Sequence, residues 1–142
     1  MTTTGYAIGY GKGEIEPRIA PLVSAVQSAG YVTFSSCEGH LEDDGSGIPR
    51  RPTVCFYADE AAARVVHLAM LEYRSRFRCS WVLTATFVAH RQTNEWTLGW
   101  AIENWGIAKE GPADTFEERT LAAAREHDVP MLIALFNALP AR

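Results

Sequence analysis

The chain has 142 residues, 47% hydrophobic and 21% charged, with a formal net charge of −4 at pH 7. That length suits one domain with a substantial core, and that composition excludes a disordered chain. The acidic balance argues against broad nucleic-acid coating, and no apolar run reaches the roughly 20 residues of a membrane helix.

In chain order, the opening "GYAIGYGKG" reads as a short strand running into a glycine-rich connection. Gly5, Gly9, Gly11 and Gly13 match neither the dinucleotide fingerprint nor the P-loop, because Lys12 is followed by Gly13 rather than Ser or Thr. This start has no basic segment leading into an apolar one, so no secretory signal is expected and a cytoplasmic protein is. Ile19, Leu22, Val23 and Val26 then recur at helical spacing and predict a helix over about 17–29, stopped by Gly30. A β-rich run predicts a strand over about 31–35, followed by the polar loop "GHLEDDGSGIPRR".

The next strand is "PTVCFYA", after which Asp59 reads as the N-cap of a helix. Ala62, Val65, Val66, Ala69, Met70 and Tyr73 form the apolar stripe of that helix. In "SWVLTATFVA" both faces carry bulk, which suits a central strand. "EWTLGWAIE" alternates, with Trp96, Leu98, Trp100 and Ile102 on the face expected to pack on the core. Thr115 and Glu118 match a capping box for a helix to about His127, and Asp128 and Pro130 restart a second one. His127 in that last turn suits the helix dipole. The expected fold is a single α/β (α+β) domain over 1–142: a mixed sheet of four to five strands with helices packed on it.

The residues that invite chemistry are "SSCEGH", Ser35 to His40, where a strand turns into a loop. Ligands tend to bind beyond strand ends, where backbone amides and loop side chains converge. Cys37 offers a thiol, His40 an acid/base partner three residues on, and Glu38 a carboxylate between them. Ser35 and Ser36 offer hydrogen-bond donors, Gly39 a tight turn, and Arg50 or Arg51 a cation for an anionic group. His90, at the end of a strand, is a further candidate at the ligand site. Cys37 and His40 also have the C-x2-H spacing of half a zinc site, with Glu38, Glu42 or Asp43 as oxygen donors. No second close pair forms among Cys55, Cys79, His67 and His90, so no metal is expected. The three cysteines are odd in number and lack a CxxC pair, which reads as free thiols in a reducing compartment.

The segment from the first helix through "GYVTFSSCEGH" to "RPTVCFYADEAAARVVHLAM" resembles the tRNA wybutosine-synthesis methyltransferase family. Ser35, Ser36, Cys37 and Gly39 match its strand-end Ser-Ser-Cys-x-Gly-Arg signature, and His40 stands where that signature has arginine. "SCEGH" is also similar to a short motif of small phage and bacterial proteins. The resemblance implies S-adenosylmethionine and a tRNA base as substrates, a partner that the acidic balance does not favour. The residues themselves name no cofactor. They point to a small polar or nucleotide-like ligand at a Cys37/His40 loop site. The competing expectation is a non-catalytic, dimer-forming protein with a tryptophan-bearing sheet and "SSCEGH" as a structural turn.

Overall fold

Local chemistry sets most element ends. In the computed structural model, which describes residues 14–41, 51–107 and 113–140 without the side chains of 105–117, helix α1 is Ala20–Ser28. Pro21 sits in its first turn, where a missing N–H breaks no helical bond, and Gly30 leaves it at φ +97°. Strand β1, Val32–Cys37, runs further than the sequence suggests, so Ser36 and Cys37 are still extended. Strand β2 is Thr53–Tyr57. Helix α2, Glu60–Tyr73, is opened as expected by Asp59, whose carboxylate accepts from the Ala62 amide at 2.8 Å.

Strands β3, Cys79–Ala89, and β4, Trp96–Ile107, form a hairpin whose turn places Asn94 at φ 59°. Helix α3, Ala113–Ala122, then passes through a π-helical turn, Ala123–Asp128, into helix α4, Val129–Asn137. Thr115 lies inside α3, so it does not cap it. Pro130 falls in the first turn of α4, and the π register ahead of it lets the chain stay helical where a break was expected.

The expected α+β sheet with packed helices is present, four-stranded in the order β1-β2-β4-β3. Every pairing among the described residues is antiparallel, so the strand directions are not mixed between neighbours. β2 and β3, joined by α2, do run the same way, but β4 inserts between them. β3 is therefore an edge strand among the described residues, and β4 takes the interior place that the sequence suggested for β3. The bulk on both faces of β3 has a different cause. Trp81 and Leu83 pack against the core, and Val88 sits over Gly99 on the opposite face.

One face of the sheet carries the core: Val54, Phe56 and Ile102 meet Leu22, Val23 and Val26 of α1 and Leu132, Leu135 and Phe136 of α4. Each such side chain stabilises the fold by roughly 1.5–3 kcal/mol on burial. Tyr31 ties three elements together, edge-on to Phe56 and Phe136 and donating its hydroxyl to Ala62 O of α2 at 2.9 Å. On α2 the buried positions are Ala63, Val66 and Met70, while Val65 of the expected stripe turns outward. Trp100 donates its indole N–H to Ala58 O, but Trp96 is 76% exposed, because the hairpin end overruns the helical layer.

No helix among the described residues is long and apolar enough to cross a membrane. The glycine-rich start, Glu42, Asp43, Arg50 and the Trp105 side chain lie outside the described residues.

Candidate functional site

The end of β1 meets the start of α1 and the π-helical turn. Glu16, three residues ahead of Ile19, has its carbonyl bonded by the Ile19 and Ala20 amides, so it leads directly into α1. From the other direction, β1 ends at Cys37 and the chain bends at Gly39, φ +91°. A side chain there would be strained, and its Cβ would lie 2.6 Å from Leu121 Cδ1 and 2.8 Å from Pro52 Cδ. Glycine is therefore the residue that lets α3 and Pro52 close over the loop.

The two segments clasp each other through backbone-to-carboxylate bonds. Glu38 N donates to Glu16 Oε1 at 3.1 Å, and Arg18 N donates to Glu38 Oε1 at 3.1 Å. The second bond serves α1, which lacks a side-chain cap of its own: Glu38 accepts from an amide of the turn that leads into it. Glu38, expected to do chemistry, thus holds the scaffold. Its carboxylate also faces Arg125 at 3.6 Å.

Arg125 lies on the π-helical turn and fastens the loop from the far end of the chain. Its Nε donates to Glu38 O at 3.0 Å and its Nη2 donates to Gly39 O. Its pKa falls below the ordinary arginine value, first because burial disfavours the cation and second because Arg18 is near. Glu38, then Glu16 and Cys37, oppose that fall.

Within this frame His40 and Glu16 meet at 2.6 Å, Nε2 to Oε2, both about a quarter exposed (30% and 22%). Cys37 is buried, and its sulfur accepts from the Gly39 amide at 3.4 Å. One donor atom each from Glu16, Cys37 and His40 lies within 4.8 Å of the others. A soft sulfur, an imidazole and a carboxylate thus converge, the sulfur and the carboxylate each held by a backbone amide as well.

The other expected site residues go elsewhere. Ser35 is buried and bonds the Cys55 thiol. Ser36 is buried, its hydroxyl without a partner among the described residues. Arg51 is half-buried beside Cys79, whose thiol it acts on electrostatically. His90 stacks on Tyr57 at 4.4 Å, and Tyr57 on Phe34 at 4.4 Å, at the hairpin end of the sheet. Cys37 pairs with Thr53 at the opposite end of β2 from Tyr57, so His90 does not join the Cys37 centre. His67 is exposed and lines a shallow groove of about 180 Å³ with Glu60, Ala63, Arg64, Leu83 and Trp100. His127, rather than serving a helix dipole alone, holds Asp128 Oδ1 at 2.7 Å.

Glu16 and Arg125 are the residues that sequence reasoning missed. Glu16 is 24 positions from His40, and Arg125 is 87 from Glu38, so no local spacing joins them. Compared with known protein families, curated proteins and solved structures, the chain matches none.

Proposed function

We propose that this chain binds a small polar ligand of the nucleotide or modified-base class at the end of β1, with Cys37, His40 and Glu16 as its reactive constellation. The observation that carries the reading is the convergence of those three side chains within 4.8 Å, drawn from two separate segments and braced by a third. Arg125 and the Glu38 carboxylate hold the loop, whereas His40 is partly exposed and can meet a bound group as its acid/base partner. The ligand class follows the resemblance of Ser35, Ser36, Cys37 and Gly39 to the wybutosine-family signature.

The test is a thermal-shift panel of nucleosides and nucleotides on the wild type, Cys37→Ala and His40→Ala. A ligand at about 100 times its Kd stabilises by roughly 2.7 kcal/mol, a readable rise in melting temperature. The rise is expected in the wild type and absent in both variants. An equal rise in Cys37→Ala, or none from any panel member in the wild type, overturns the reading.

One observation favours a second reading, a non-catalytic protein that pairs through its sheet. Phe87 and Trp96 are 67% and 76% exposed and lie at the hairpin end, away from the Cys37 loop. It predicts a dimer by light scattering that Trp96→Ala converts to monomer. A wild-type monomer at high concentration rules it out.

A further inference from the structure

We infer that Glu16, Cys37 and His40 are a zinc-class metal site with three protein ligands and one position left for water or ligand. This rests on the reading of the β1 end as the functional centre and adds an ion as what the ligand's polar atom meets. The donor set argues for the metal. A thiolate and an imidazole together suit Zn²⁺, and one carboxylate completes the three-ligand pattern found where a fourth position is kept open.

The distances allow it. A tetrahedral ion with bonds of about 2.0–2.2 Å to nitrogen and oxygen sets the two about 3.3 Å apart, and somewhat more to sulfur. His40 and Glu16 are 2.6 Å apart and all three atoms fall within 4.8 Å, so accommodation needs side-chain shifts of under about one ångström. On binding, the ion takes the place of the proton between His40 Nε2 and Glu16 Oε2, which passes through solvent to His40 Nδ1. That leaves the neutral ring with Nε2 free to bind, while the Cys37 thiol proton leaves to solvent.

The surroundings have the second-layer contacts that metal ligands usually carry. Gly39 N–H reaches the Cys37 sulfur, and Glu38 N–H reaches the Glu16 oxygen that does not meet His40. Arg125 fixes both carbonyls of the intervening turn. The geometry is thus held by groups other than the donors themselves.

The experiment uses the full chain. Zn²⁺ is titrated against a chromophoric chelator, and Co²⁺ is bound in parallel and its absorption recorded. One equivalent of Zn²⁺ is expected, and Co²⁺ is expected to show tetrahedral bands with a thiolate charge-transfer band. Cys37→Ser should lose that band. Glu16→Gln and His40→Ala should weaken Zn²⁺ by more than the roughly 10–100-fold that losing an outer contact costs. The Co²⁺ spectrum of the wild type decides the matter even where a variant fails to fold. If the wild type competes with the chelator no better than Cys37→Ser, or Co²⁺ gives no thiolate band, the metal is ruled out. A nucleotide response without that band overturns the metal and keeps the ligand reading. The band without any nucleotide response supports the metal and overturns the ligand class.

Discussion

Gly39 carries two constraints at once, a left-handed backbone and a contact surface too close for any Cβ. Gly39→Ala should therefore lose roughly 2–4 kcal/mol from strain and overpacking together, read as a lower urea midpoint with an unchanged slope. The same substitution moves the Glu38 and Gly39 carbonyls that Arg125 holds, so it should disturb His40 and Cys37 as well. At this scale the sequence was legible in part. Cys37, Gly39 and His40 stand out because their types and spacing are local. Glu16 did not, because a lone glutamate before a proline has no pattern until the fold brings it to His40. The contact between the Ser35 hydroxyl and Cys55 was hidden for a related reason, since Cys55 comes from the neighbouring strand.

Among the elements, the π-helical turn ties the helical layer both to the loop after β1 and to the start of β3. Asp128 at its end is fully buried and accepts from the Arg78 and Cys79 amides at 2.9 and 2.8 Å and from the Trp81 indole at 2.9 Å. His127 adds a fourth contact. These bonds pin the first residues of edge strand β3 to the helical layer. Asp128→Ala removes the acceptor of three N–H donors, of which the Cys79 amide is buried, and should cost about 2–4 kcal/mol, measured by chemical denaturation. Asp128→Asn, which keeps an acceptor, should lose clearly less. Asp128 and Pro130 were legible as a helix start, but a restart and a π register look alike in sequence, since both accommodate a proline that has no N–H to donate. The edge position of β3 was not legible either. Its apolar residues on both faces read as burial, and only the insertion of β4 between β2 and β3 decides otherwise.

For the whole molecule, proton linkage gives the clearest expectation. Burial, with help from Glu103, pushes the Cys55 thiol from an ordinary 9.0 up to about 12. Burial and then Asp128 do the same for Cys79, also to about 12. In the unfolded chain both thiols ionise near 9, so between about 9 and 12 the unfolded state holds fewer protons and stability falls as pH rises. Below 9 the two contribute no pH dependence. The melting temperature should decline above pH 9, by up to about 1.4 kcal/mol of stability per unit for each thiol, and a Cys55→Ala/Cys79→Ala variant should show a shallower decline. Neither thiol should react with alkylating reagents in the folded protein near neutral pH. The four strands of the described residues and the helix-on-sheet layering were legible because periodicity reports burial. Neighbour order was not, because periodicity is silent about which strand lies beside which.

The brace from Arg125 to the turn after Cys37 spans 86 and 87 positions of sequence. During synthesis, Cys37 and His40 leave the ribosome long before the residue that shapes them exists. A nascent chain carries the raw groups without their arrangement, so the centre is completed only after synthesis has passed Arg125 and that residue has reached the turn.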